Sequence, residues 1–199
     1  PETPQLRKIE EVTECLKNGG IIAYPTDTVY GFGCDLYNPK AIERIYKLKG
    51  TNARKFHLSF ICYDLSDLSN YARVSTPIFK IMKRLLPGPY TFILESSSRV
   101  PKIFNNKKKQ VGIRVPNHNI PRELVLELGN PILTTSIKRP DEDDVLEYFT
   151  EAYEVEEAYG DVVDIIIDGG TCGVEPSTVL KAEGDMVEVV REGLGKIDF

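Results

Sequence analysis

The stretch from Gly20 to Asp35, GIIAYPTDTVYGFGCD, constrains the fold more than any other part of the chain. Ile21, Ile22, Ala23 and Tyr24 are apolar and partly β-branched, as in a buried strand, and Pro25 ends that strand because it has no ladder donor. A loop follows in which Thr26, Asp27, Thr28 and Tyr30 crowd together. Gly31 and Gly33 then mark where the backbone is expected to turn or to approach a ligand closely. A strand that runs out into a polar, glycine-bearing loop is the usual ligand position in an open α/β sheet. The same Thr and Asp side chains can equally satisfy their own turn.

Around this stretch, helical and strand periodicities alternate. Leu6, Ile9, Val12 and Leu16 recur at helical spacing and Gly19-Gly20 closes the segment. Asn38-Pro39 opens a second helix with Ile42, Ile45 and Leu48 on its buried face, and Lys47 and Lys49 fall at its end, where the helix dipole favours cations. Residues 50–55 form a polar, basic loop suited to a phosphate. Phe56 to Cys62, Tyr90 to Leu94, Gln110 to Val115 and Pro131 to Thr135 read as strands. Helices are expected after Asp64, from Thr76-Pro77, from Asn119 and over Thr150 to Tyr159. Val162 to Ile167 is the clearest buried strand, and Ser177–Leu180 with Val187–Val190 makes a hairpin. Arg114 on an interior strand needs an acidic or anionic partner. The rhythm is not strict βαβ, so the chain reads as α+β: a twisted mixed sheet with helices packed on it, one domain over 1–199.

Composition narrows the function. The 199 residues are 41% hydrophobic and carry a net charge of -5, which argues against coating nucleic acid indiscriminately. Of the 30 acidic residues, 11 lie between Asp141 and Asp164, where there is no Lys or Arg, leaving 19 against 25 basic residues elsewhere. A basic cleft opposed to an acidic segment is compatible with this count, as are charges spread over solvated faces. No apolar run is long enough to span a bilayer. The four cysteines lack C-x-x-C spacing, so no metal site is assigned, and they read as reduced thiols of a cytoplasmic protein.

Seven ordered motifs then become recognisable: AYPTDTVYGFGCD at 23–35, KLKG at 47–50, PGPYTFIL at 87–94, VGIRVP at 111–116, LTTS at 133–136, DGGTCGVEPSTVL at 168–180 and VVREG at 189–193. Together they resemble the YrdC/YciO family, whose core members make threonylcarbamoyl-AMP, and the segment FHLSFICYDLSDLSNYA resembles the YciO branch most closely. The resemblance implies a YrdC-like domain with a basic concave cleft. There L-threonine and bicarbonate form a carbamate that attacks the α-phosphate of ATP, with Mg2+ offsetting charge, and the product serves tRNA modification. It also implies roles for residues. Lys49, Arg114 and Ser136 would be catalytic; Thr28, His57, Arg114 and Ser136 would hold substrate; Lys49, Arg54, Thr91, Lys138 and Arg191 would hold the nucleotide.

The chain departs from the synthase pattern twice. Lys49-Gly50-Thr51 stands where synthases have K-x-R, so Arg54 would have to replace the missing cation. Thr134-Thr135-Ser136-Ile137-Lys138 stands where they have S-T-S-A-N, so a cation that only donates replaces an amide. The alternative function is a non-catalytic protein of the same fold that binds tRNA, double-stranded RNA or a nucleotide. A hydrolase or acyl-transfer enzyme is the third possibility, without a nucleophile-base pair in the sequence to support it.

Overall fold

The computed structural model describes residues 3–50, 58–102, 109–139 and 147–198. The described strands are β1 (Ile22–Tyr24), β2 (Gly31–Asp35), β3 (Ser59–Ile61), β4 (Ala72–Arg73), β5 (Tyr90–Ser96), β6 (Gln110–Arg114), β7 (Ile132–Ser136), β8 (Ile165–Ile166), β9 (Thr178–Glu183) and β10 (Met186–Arg191). They form one mixed sheet in the order β10-β9-β5-β6-β3-β7-β2-β1-β8, with β4 pairing to β5. The pairs β1/β8, β3/β6 and β5/β9 are parallel; the others are antiparallel. The helices are α1 (Leu6–Lys17), α2 (Pro39–Leu48), α3 (Leu65–Leu68), α4 (Thr76–Leu85), α5 (Asn119–Leu128) and α6 (Ala152–Tyr159). This is the mixed sheet with packed helices that the sequence implies.

Local chemistry sets the helix ends. The Asn38 side chain accepts from Ala41 N–H at 3.1 Å, ahead of Pro39, and Gly129 closes α5 in the left-handed region at φ 79°. No described helix is long and apolar enough to cross a membrane. All four cysteines are free.

The sheet is covered unequally, and this creates the site. One face carries Ala23, Phe32, Phe60, Phe92, Ile113, Leu133 and Leu180, which pack with Ile42 and Ile45 of α2, Ile78 and Met82 of α4 and Val155 of α6. On the other face Ile22, Tyr24, Ile61 and Ile132 pack beneath α1 and α5 at one end only. The register Ile22↔Gly33↔Thr134↔Ser59↔Gly112↔Ile93↔Lys181 runs across this second face. Beyond the two helices no described element forms a layer above this face. Each large apolar side chain fully buried here contributes roughly 1.5–3 kcal/mol, so the well-packed face carries most of the stability while the half-bare one is free to bind.

Two expectations are corrected. Gly31 and Gly33 do not turn the chain; they are strand residues of β2, paired to Tyr24 and Ile22. A Cβ at Gly33 would lie 2.7 Å from Tyr24 Cε1 and 2.9 Å from Ile132 Cγ2, so the glycine is required by a neighbouring side chain. Val162–Ile167 is not a fully buried strand either. Ile165–Ile166 pair with β1 and are half-buried, because among the described strands none lies beyond β8; Val162 is exposed.

Candidate active site

The bare part of the second face is the floor of a cavity of about 620 Å³. Strand alternation sends Thr134 and Ser136 of β7, Ser59 of β3, Arg114 of β6 and Thr91 of β5 to that floor. Lys49, which follows α2, and Lys138, which follows β7, close one side; Arg191 at the end of β10 closes the other. Six segments far apart in sequence therefore bring four cations and their neighbouring hydroxyls to one concavity, as a basic cleft requires.

Arg114 is the most tightly held of these groups. Its Nη2 donates to Asp27 Oδ1 at 2.9 Å and to Thr28 Oγ1 at 3.0 Å, and the ion pair is buried, with side chains 6% and 9% exposed. Asp27 Oδ2 also accepts from Asn117 N–H at 2.9 Å, which pins the carboxylate from the opposite side. Arg114 Nε is buried and has no hydrogen-bond partner among the described residues. A buried charge-bearing donor left open is costly, so the guanidinium is held in place by its Nη2 contacts. Thr28 is fully buried behind Arg114 and is absent from the cavity wall. Thr26 Oγ1 donates to Val29 O at 2.7 Å, so the Thr28 hydroxyl hydrogen goes to Thr26 Oγ1 at 3.0 Å while its oxygen receives Arg114. The loop that could have closed on itself therefore does so and buttresses the arginine as well.

Lys49 Nζ donates to Ser136 O at 2.9 Å. Burial, and then repulsion from Lys138, lower its pKa below the ordinary lysine value, so an anion between the two cations would be favoured. Lys138 pairs with Glu147 and lies 5.5 Å from the centre of the Tyr148 ring, at a half-open rim. On the far side, Arg191 Nη2 donates to Ser177 O at 2.7 Å, and Thr91 and Ser177 share a hydroxyl contact of 2.8 Å. Ile93, Val179 and Val190 make that wall apolar between its polar groups, which suits a flat ring carrying a charged tail.

Of the site residues the sequence suggests, Lys49, Thr91, Arg114, Ser136, Lys138 and Arg191 share this cavity and Thr28 stands behind it. Arg54 and His57 lie outside the described residues, as do Lys107 and Lys108. Sequence reasoning missed Asp27 as the partner of Arg114, and missed Ser59, Thr134, Tyr148 and Ser177 as wall residues. The need of Arg114 for an acid was legible; which acid answers it was not. Among the described residues no three His, Cys, Asp or Glu gather as they would around a metal ion. The donors here suit phosphate and carboxylate oxygens, and a magnesium ion fits this wall only when carried in on a triphosphate.

Comparison with known proteins gives a consistent result. A family described as telomere recombination, Sua5/YciO/YrdC, matches residues 14–193. Escherichia coli YciO is 39% identical over 201 residues, covering 99% of this chain and 94% of its own. Its crystal structure superposes with a TM-score of 0.90 at 36% identity, over 100% of this chain and 95% of that one. P. abyssi Sua5 complexed with L-threonine superposes with a TM-score of 0.85 at 28% identity, covering 96% of this chain and 56% of that longer one. The threonylcarbamoyl-AMP synthase of Mus musculus is 30% identical over 177 residues, 87% of this chain and 60% of its own.

Proposed function

The chain belongs to the Sua5/YciO/YrdC family, and from that premise we propose that its cavity makes L-threonylcarbamoyladenylate from L-threonine, bicarbonate and ATP. The amine of threonine and bicarbonate give a carbamate and water. A carbamate oxygen then attacks the α-phosphorus of ATP, the bond to the β-phosphate oxygen breaks, and pyrophosphate leaves. The product is of the kind that transfers its threonylcarbamoyl group to adenosine in tRNA.

Such chemistry needs placement and charge compensation more than covalent help. Arg114, held by Asp27 and Thr28, lends its positive charge to a substrate carboxylate at the cavity wall. Lys49 and Lys138 hold phosphates, and Ser136, whose main-chain carbonyl positions Lys49, offers its hydroxyl to the reacting anion. Thr91 and Arg191 border the nucleotide. Lys49 and Lys138 would share the phosphate charge with a magnesium ion carried in as part of the ATP substrate.

The observation that carries this reading is the convergence of Lys49, Arg114, Ser136 and Arg191 on one cavity. Purified protein given ATP, threonine, bicarbonate and Mg2+ is expected to release pyrophosphate, and Lys49→Ala to abolish the release while keeping its melting curve. No turnover above buffer, together with salt-sensitive RNA binding that Lys49→Ala or Arg114→Ala weakens, would replace the synthase with the RNA-binding alternative.

A further inference from the structure

One edge of the sheet is open and stands apart from the cavity. β8 pairs with β1 in parallel, and the N–H groups of Ile165 and Ile167 go to Ile21 O at 3.4 Å and Ala23 O at 2.8 Å. In a parallel ladder the residue between two such donors turns its own N–H and C=O the other way, so those of Ile166 face outward. Among the described strands none lies beyond them.

A groove of about 340 Å³ runs beside this edge. It lies between α6, which supplies Tyr153 and Glu156, and the β8 segment, which supplies Asp164, Ile166 and Asp168. None of its lining residues borders the cavity described above. The Ile166 side chain packs with the cluster beneath α6, whereas Ile165 and Ile167 pack with the cluster beneath α1 and α5. A chain laid along the edge would alternate in the same way, sending every second side chain into the groove.

Charge decides what can lie there. From Glu147 to Leu180 there are nine acidic residues and no Lys or Arg, so the local field is negative whatever the rest of the molecule carries. Glu147, Glu154 and Asp164 pair with Lys138, Arg139 and Arg44. Glu156 and Asp168 are exposed and join no ion pair among the described residues. The groove thus has carboxylates at its rim, with Ile166 and the exposed Tyr153 ring to receive an aliphatic stem. A lysine or arginine side chain meets both demands at once. Nucleic acid, and the β8 edge of a second copy, bring like charge and are repelled.

We propose that the edge formed by β8 and α6 is a docking surface for an extended basic segment of a partner protein, which adds a strand at Ile166 and places lysine or arginine side chains in the groove. This surface is independent of the synthase reading.

Fluorescence anisotropy of the full chain with a labelled octapeptide alternating lysine and valine tests it. Two counterparts separate strand addition from bare attraction: one has glutamate for every lysine, the other proline for every valine, which keeps the charge and removes ladder donors. Wild type is expected to bind the lysine-valine peptide more tightly at low than at physiological salt, the proline peptide about fivefold more weakly or worse, and the glutamate peptide not at all. Glu156→Gln/Asp168→Asn removes two exposed charges and leaves Gly170 N–H its acceptor. It is expected to weaken the lysine-valine peptide about three- to tenfold, as two surface pairs would. Amide spectra of the bound protein should show Ile166 among the largest shifts. Equal binding of the valine and proline peptides, an unmoved Ile166 amide, wild-type affinity in the double variant, or no binding to wild type each overturns the proposal. So does a dimer in sedimentation that the peptide dissociates, which would put a second copy on the edge. The peptide pair and the spectra use wild type, so the test holds even if the variant does not fold.

Discussion

Asp27→Ala isolates the interaction that holds Arg114 in the cavity wall. The carboxylate is 9% exposed and the guanidinium 6%, so water can do little to replace the lost partner. Arg114 would keep Thr28 Oγ1 at 3.0 Å, its Nε would still lack an acceptor among the described residues, and Asn117 N–H would lose its own. Breaking a buried pair from one side costs about 3–5 kcal/mol. For a chain of this length each kcal/mol moves Tm by about 2–4 °C, so a fall of roughly 6–20 °C is expected. Urea unfolding followed by circular dichroism provides the independent figure, as a lower midpoint at an unchanged slope. Asp27→Ala/Arg114→Met removes both charges and is expected to regain most of the loss, because the cost lies in the stranded charge rather than in the missing contact. A single mutant that loses less than about 1 kcal/mol, or a double mutant no more stable than the single one, would refute this account of Arg114.

Gly33→Ala forces a methyl against Tyr24 and Ile132, both fully buried, and is expected to cost about 1–3 kcal/mol; a urea midpoint equal to that of wild type counts against the packing described. The pKa of Lys49 is held down by burial and then by Lys138, and its cationic form, the one proposed to bind phosphate, is present below that pKa. Nucleotide affinity is therefore expected to fall as pH rises, through a midpoint below the ordinary lysine value of 10.5, and Lys138→Ala should move the midpoint upward. A midpoint at or above 10.5 in wild type sinks the assignment. Asn38→Ala removes the cap of α2, the helix that delivers Lys49, and should cost about 1 kcal/mol in thermal unfolding; no change would mean the cap is idle.

Most helices were legible because their signals are local. The Asn38-Pro39 start, the Thr76-Pro77 start and the Gly129 stop each act within one turn, and the structure has them at those positions. The strand readings failed where burial had to be guessed. The run Val162–Ile167 is as apolar as a central strand, but its place at the sheet's edge depends on which strand lies beside β1, and nothing in its own residues states that. The glycines of GFG failed for a related reason. Glycine marks either a turn or a crowded neighbour, and the neighbour here, Tyr24, is brought alongside by the pairing of β1 with β2.

The order of residues alone determined which segments become helix or strand and, through its motifs, the family and the side chains that carry charge into the site. Those properties are set by period, caps and residue type over a few neighbours. Only the folded sheet decided that α1 and α5 cover one end of a face and leave the rest open, that Asp27 answers Arg114, and that the Tyr24 phenol crosses two bare glycines to reach Thr134. Each of these is a distance across strands, and such distances follow from strand order and register, which join residues 87 or 110 positions apart.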